Sequence, residues 1–373
     1  MFVLYKNVNL YTPTPQGLCD VITWKDRVFQ FGKDLTAPQG CEVVEGEGRI
    51  LMPGIVDTHV HITGGGGEGG FTTRMSELTF EEAAAAGVTT VVGVLGTDGY
   101  ARQPKEVLVK CLQMNEWGIE TYMLTGSYTY PVVNIMGDVV QDIIYFEKCL
   151  GTGEFAIADH RSSSPTKEEL RRVACDTRNA GRLAGKRGVL NIHLGNYEDG
   201  IPTLIELIKE DISLLPTFIP THVNRRRVIF EQAKELHAMG GVIDLTAGMA
   251  GGEALTAMEA LEVLYEKYGT LERVTCTSDA CGSLPVYDKM GNLLSIDKGT
   301  SIVLINDLKA LMERGKIPFE TAILPFTLNG AQNYALKTSA GKIEVGGTAN
   351  MVMLKEDYTI ARTVLNGKTV YEG

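Results

Sequence analysis

The chain has 373 residues, of which 44% are hydrophobic, and a formal net charge of −11. That length can bury a large core and suggests one big domain with a smaller companion, while the acidic balance argues against nucleic acid as a partner. No run of about 18 apolar residues could span a bilayer, and Met1–Asn7 lacks the basic, apolar, small-residue order of a signal peptide, so a cytoplasmic protein with no membrane partner is expected. Seven cysteines, scattered and without a CxxC pair, read as reduced thiols rather than staples or zinc-ribbon ligands.

Residues 1–51 contain short apolar runs, Phe2–Tyr5, Val21–Trp24, Arg27–Gln30 and Cys41–Val44, separated by Pro, Gly and Asp. They read as strands. The tail from Gly341 resumes that style in Lys342–Val345, Met351–Leu354, Thr363–Leu365 and Gly367–Tyr371. Chain ends often lie near one another, so residues 1–51 and 339–373 are expected to form one small β-sandwich interrupted by the middle.

From residue 52 the pattern becomes apolar strand, loop, helix, repeated. Strands are expected at 54–61, 88–95, 120–127, 150–157, 188–194, 217–222, 240–247 and 273–278. Helical spacing separates them at Glu77–Ala86, Lys105–Glu116, Asp138–Cys149, Lys167–Ala184, Thr203–Ile208, Val228–Met239, Glu253–Tyr268 and Ser301–Arg314. Such an alternation over about 260 residues predicts an α/β fold, a (β/α)8 TIM barrel spanning 52–338. An open doubly wound sheet fits less well, because no Gly-x-Gly-x-x-Gly turn follows the first strand.

In a barrel the chemistry sits where the strands end. The first strand ends in His59-Val-His61, whose imidazoles share one face because side chains alternate along a strand. Two such rings can grip one metal ion. The exit Gly64–Gly67 before Glu68 is unusual for an ordinary strand, since glycine is kept where backbone must pass close to something. His193 falls on the fifth strand, His222 on the sixth and Asp279 on the eighth, so four of the chain's six histidines lie at strand ends. His237 lies within a helix and reads as structural, and Arg225–Arg227 is the one basic cluster of note.

The His-x-His, the two single histidines and the strand-eight aspartate resemble the amidohydrolase superfamily. Within it, the runs His59–Glu68 with Thr72–Arg74, Gly93–Asp98, Ser127–Tyr128, Asp159–Ser162, Pro220–Arg225 and Thr277–Ser283 are similar to the isoaspartyl dipeptidases. The likeness extends over nearly the whole chain, through the closing Gly367–Gly373. It implies a pair of zinc ions, the first on His59, His61 and Asp279 and the second on His193 and His222, with a metal-bridging hydroxide whose proton Asp279 takes and returns. It also implies that Glu68 pairs a substrate ammonium, that Arg161 and Arg225 fork onto carboxylates, and that Tyr128 donates to the oxyanion, with Ser283, Gly66 and Thr97 lining the substrate. The expected activity is hydrolysis of β-aspartyl dipeptides by a homo-oligomer. The alternatives are a D-aminoacylase- or dihydroorotase-like enzyme acting on an N-acyl amino acid or cyclic amide and, less favoured because no ligand is lost, a catalytically silent scaffold.

One position departs from the family. Glu154 stands where isoaspartyl dipeptidases carry the lysine that is carboxylated to bridge the metals, and no lysine lies within five residues of it. A carboxylate can replace a carbamate, so Glu154 is expected to be the bridging ligand, in preference to a single-metal or loosened site. Glu154 and Arg161 are seven steps apart, roughly 23 Å of straight strand at ~3.3 Å per residue. For both to reach one pocket, the chain must leave the strand near Ala158.

Overall fold

The computed structural model describes residues 1–288, 290 and 292–373. The N-terminal segment forms β1 (Phe2–Tyr11), β2 (Pro15–Trp24), β3 (Arg27–Gly32), β4 (Glu42–Glu45) and β5 (Ile50–Pro53). β1 pairs antiparallel with β2, from Phe2 opposite Trp24 to Tyr11 opposite Pro15. Its other edge is shared, with β4 parallel to Val3–Lys6 and β5 parallel to Asn9–Leu10.

The middle of the chain then alternates. In order come β6 (Ile55–Val60), α1 (Phe80–Ala85), β7 (Val88–Gly93), α2 (Pro104–Trp117), β8 (Glu120–Thr125), α3 (Val139–Tyr145) and β9 (Cys149–Ile157). They are followed by α4 (Lys167–Ala184), β10 (Val189–Leu194), α5 (Gly200–Glu210), β11 (Phe218–Thr221), α6 (Arg227–Ala238), β12 (Ile243–Thr246), α7 (Ala257–Tyr268) and β13 (Val274–Thr277). A hairpin of β14 (Ser283–Tyr287) and β15 (Leu293–Lys298) precedes α8 (Val303–Arg314), α9 (Phe319–Ala322) and α10 (Leu328–Asn333). The chain closes with β16 (Met351–Leu354), β17 (Ile360–Leu365) and β18 (Lys368–Glu372). β16 pairs antiparallel with β5, so both chain ends share one eight-stranded sheet.

β6 to β11 form a six-stranded parallel sheet in sequence order, and β12 and β13 a parallel pair. The Val223 amide donates to the Asp244 carbonyl at 3.2 Å on one side of that pair. On the other, a parallel bridge joins Val60 to Ala280, and the His61 amide donates to the Ala280 carbonyl at 2.9 Å. The result is a curled parallel sheet with helices packed outside it. Val60 and Ile62 belong to the large apolar core between sheet and helices, with Leu78 and Val107. The neighbouring pleat positions, His59 and His61, therefore turn inward.

The strands expected from residue 54 to 278 agree with the structure to within a few residues because they are short β-branched runs bounded by turn residues. By contrast, β1 and β2 run six residues beyond the expected Phe2–Tyr5 and Val21–Trp24, and β5 was not expected. Helix starts are set by caps. Thr79 with Glu82 and Thr256 with Glu259 form capping boxes, so α1 and α7 begin later than Glu77 and Glu253. Two further differences stand out. Lys342–Val345 forms no strand, although Ile343 is buried beside Val8 and Leu10. The β14–β15 hairpin was not anticipated, although apolar runs flanking Asp288 to Asn292 are the signal of one. No helix among the described residues is long and apolar enough to cross a membrane.

Candidate metal centre and substrate pocket

Glu154, on fully buried β9, lies between two sets of imidazoles. Its Oε2 is 3.4 Å from His59 Nε2 and 3.5 Å from His61 Nε2. Its Oε1 is 2.6 Å from His193 Nδ1 and 3.1 Å from His222 Nε2. Asp279 Oδ1 lies 3.0 Å from His61 Nε2 and 3.7 Å from His59 Nε2. Sequence alone put these six residues on five different strands; folding brings them within one small volume.

Local backbone and second contacts aim the rings. His222 and Asp279 fall just past β11 and β13 in left-handed conformations, with φ of 61° and 53°, which turn them off the strand axis into the mouth of the sheet. A proton on His222 Nδ1 is accepted by Thr246 Oγ1 at 2.7 Å, leaving Nε2 to face Glu154. A proton on His193 Nε2 is accepted by Asp159 Oδ2 at 2.9 Å, leaving Nδ1 to face the same carboxylate. Beneath them, Asp244 accepts hydroxyl protons from Thr221, Thr275 and Thr277, and Asp57 accepts from Ser278.

The donor set fits a cation. Both ring nitrogens of His59, Glu154 Oε2 and Asp279 Oδ1 are buried without a hydrogen-bond partner among the described residues, and each such orphan costs about 1–3 kcal/mol if nothing satisfies it. A tetrahedral ion with ligands at ~2.0–2.1 Å sets its donors ~3.4 Å apart, close to the separations above. The field points the same way. Burial works against charge on His59, yet Glu154 and then Asp279 overcome it and raise the imidazole to about 9. Burial holds His222 down at about 3. For Asp279, burial is outweighed by His61 Nε2 beside its Oδ1 and by the other imidazoles, which hold its carboxyl at about 2.

Of the remaining candidates, Gly66, Thr97, Tyr128, Arg161, Arg225 and Ser283 line a cavity of about 450 Å³ above this cluster, and Glu68 sits behind its wall, bonded to three of them. Glu68 Oε1 accepts from Thr97 Oγ1 at 2.9 Å, Ser283 Oγ at 2.5 Å and Arg161 Nη1 at 3.3 Å; its Oε2 is buried without a partner among the described residues. β9 ends at Ile157 and the chain turns at Ala158, φ 54°. That bend brings Arg161 Nη2 to 3.2 Å from His193 Nε2, the ring whose other nitrogen faces Glu154. Tyr128 Oη is 2.6 Å from His193 Nδ1, and its proton can reach Glu154 Oε1 at 3.5 Å. Burial, then Glu154, push the Tyr128 phenol well above its usual value, so it stays a donor.

The site residue that sequence reasoning left out is Asp159. Its carboxylate accepts from Arg161 Nε at 3.1 Å and Nη2 at 2.9 Å, and lies 3.6 Å from Arg225 Nη1 and 2.9 Å from His193 Nε2. The signal was an acidic residue set two positions before an arginine expected in the pocket. His237 is buried against the Tyr268 ring, 4.9 Å between centroids, away from this cluster.

Residues 50–370 match the amidohydrolase family model, and the chain belongs to that family. Within the family it is similar, over its whole length, to the crystal structure of β-aspartyl dipeptidase from Fervidobacterium islandicum AW-1 in complex with β-Asp-Leu dipeptide, at 36% identity, with 97% of that chain covered and a TM-score of 0.92. Among curated relatives, a deacetylase of Brucella anthropi is 42% identical over 306 residues, 80% of this chain and 62% of the relative. A dihydroorotase of Ligilactobacillus salivarius is 27% identical over 169 residues, 44% of this chain and 37% of the relative. The chain thus spans less than two thirds of either curated relative.

Proposed function

We propose that this protein is a metal-dependent hydrolase of β-aspartyl dipeptides. The observation that carries the reading is the polar end of the cavity, where Thr97, Ser283, Arg161 and Arg225 gather beside the imidazole–carboxylate cluster with Glu68 bonded behind the first three. A substrate with an ammonium and two carboxylates matches that inventory of one acidic and two guanidinium groups. The full-length likeness to a β-aspartyl dipeptidase supports it. Zinc is the ion we favour, two per chain: His59, His61 and Asp279 would hold one, His193 and His222 the other, with Glu154 between them. The eight parallel strands are read as one closed (β/α)8 TIM barrel over residues 52–338, and the terminal strands (1–51 and 339–373) as a β-sandwich. We place the enzyme in the cytoplasm as a homo-oligomer.

When bound, the metal pair would supply Lewis acidity toward the scissile carbonyl and toward water. The chain's own groups do the rest. Asp279, ionised at neutral pH, accepts a proton from the attacking water at a carboxylate oxygen and passes it to the nitrogen of the leaving amine. Tyr128 donates its phenolic proton to the oxygen on which charge develops. Glu68 pairs the α-ammonium, and Arg161 and Arg225 hold the carboxylates, so that the reacting carbonyl is fixed relative to Asp279.

The likeness to a deacetylase favours one alternative, hydrolysis of an N-acyl amino acid or a cyclic amide. One assay panel separates them: turnover of β-Asp-Leu, α-Asp-Leu, N-acetyl amino acids and dihydroorotate, with zinc measured on the same preparation. Preference for β-Asp-Leu is expected. Faster cleavage of an N-acetyl amino acid or of dihydroorotate would replace the dipeptidase reading with the alternative.

A further inference from the structure

The glycine run after β6 carries Glu68 to the pocket wall, where it bonds to Thr97, Ser283 and Arg161, yet the run has no side chains of its own to pack. It folds as a tight hairpin. Gly66 bridges Arg74, the Gly67 amide donates to the Thr73 carbonyl at 3.2 Å, and the Met75 amide donates to the Gly65 carbonyl at 2.9 Å. Gly64 and Gly66 have φ of 78° and 76°, and a Cβ on either would come within 2.2 Å of the Met75 carbonyl or 2.4 Å of that of Thr73. Glycine is therefore required, and with it comes a loop that backbone bonds alone would hold weakly.

One buried side chain from another loop grips both of its feet, beside an Arg74–Asp98 ion pair at 2.5 Å between the same two loops. Arg102, between β7 and α2, is 8% exposed. Its Nη1 donates to the carbonyls of Gly64 and Gly65, the latter at 2.7 Å, and its Nη2 donates to that of Met75 at 3.0 Å. Both feet of the hairpin thus rest on one planar fork, a geometry that a lysine ammonium on a flexible stem cannot reproduce. Thr97, which binds Glu68 Oε1 at 2.9 Å, belongs to the same β7–α2 loop, and the Gly65 amide is tied to the Cys281 carbonyl at 2.7 Å on the opposite side. The loop after β7 accordingly holds the hairpin at its feet and its acidic residue at the tip.

We propose that Arg102 is a positioning residue which acts through Glu68: by clamping the glycine hairpin, it holds the carboxylate where a substrate ammonium binds. The inference rests on the dipeptidase reading for its substrate and on the hairpin geometry for its mechanism.

The test uses the metal-loaded enzyme with Arg102→Met, Arg102→Lys, Glu68→Gln and the Arg102→Met/Glu68→Gln double variant, on β-Asp-Leu and on its N-acetylated form, which lacks the ammonium. Arg102→Met is expected to raise KM for β-Asp-Leu about tenfold or more while kcat changes less than about threefold. Arg102→Lys should move it in the same direction by less. In the Glu68→Gln background, Arg102→Met should add nothing, and the N-acetylated substrate should show no KM increase. An unchanged KM, or full additivity in the double variant, overturns the proposal, because a merely structural arginine would act independently of Glu68. Amide exchange gives a reading that does not depend on substrate. Protection of the Gly65 and Met75 amides should fall about tenfold or more in Arg102→Met, and unchanged protection refutes the clamp. If the wild type leaves β-Asp-Leu intact while exchange responds as expected, the substrate assignment fails and the clamp stands.

Discussion

Glu154 is the residue that most distinguishes this site. Its two oxygens divide between the imidazole pairs, 3.4 and 3.5 Å from His59 and His61 and 2.6 and 3.1 Å from His193 and His222. A glutamate is shorter than a carboxylated lysine, and the shortfall is met because all four rings converge at the level of its carboxylate. Glu154→Ala is expected to lower zinc below two per chain by atomic absorption; a full complement of two would dismiss it as a ligand. The proposed bridge through Glu154 needs no carbon dioxide, so reconstituted activity is expected to be the same with and without added bicarbonate. Asp279 makes a second case. Its Oδ1 contacts both histidines of β6 and its exit, and the proton transfer proposed for it would be worth about 10²–10⁴ in rate. Asp279→Asn should therefore reduce kcat by at least about a hundredfold. Wild-type turnover in that variant would assign the proton to another group.

At the scale of elements, the readable part of the sequence was the repeating one. Strand and helix periods gave β6 to β13 and α1 to α8 to within a few residues, and the imidazoles could be placed because pleat alternation fixes facing once a strand is recognised. What escaped depended on contacts remote in sequence. The place of Asp159 is set by the left-handed turn at Ala158, and that of Arg102 by carbonyls 27 to 38 residues away; neither has a local period. The β14–β15 hairpin lies among solvent-facing residues such as Leu284 and Leu294, where burial writes no pattern. Interhelix ties are equally silent. Glu262 on α7 accepts from Arg314 Nε at 2.5 Å and Nη2 at 2.7 Å, at the end of α8, and from Lys316 at 2.8 Å. The Arg314 hydrogen bond outweighs burial and, with Lys316, lowers the carboxyl from 4.5 to about 2. A depressed folded value stabilises above the unfolded one and is lost on acidification. Glu262→Gln should thus lower stability by about 1 kcal/mol at neutral pH, and the deficit should shrink as pH falls from 4.5 toward 2 in urea titrations. A deficit independent of pH would assign the effect to packing.

For the molecule as a whole, the proposed barrel has an uneven perimeter. β6 to β11 are continuously paired, whereas the seam between β13 and β6 rests on the Val60–Ala280 bridge, the His61 amide on the Ala280 carbonyl, and Asp57 accepting from the Ser278 amide at 3.1 Å and its hydroxyl at 2.5 Å. His59 and His61 stand on one side of that seam and Asp279 on the other. An ion held by these three would link the first strand to the last across a seam with little backbone pairing, so metal is expected to stabilise the fold as well. Binding to the folded chain alone adds about 4 kcal/mol at a thousandfold excess over Kd, which for a chain of this length corresponds to a Tm change of about 5 °C. Removal of metal with a chelator at neutral pH should then lower Tm by about that much and speed amide exchange at residues 58–62 and 276–282 ahead of the β8–β10 region. Restoring zinc should reverse both. Equal Tm values with and without metal, or exchange that rises uniformly around the sheet, would show that the seam closes without help from an ion.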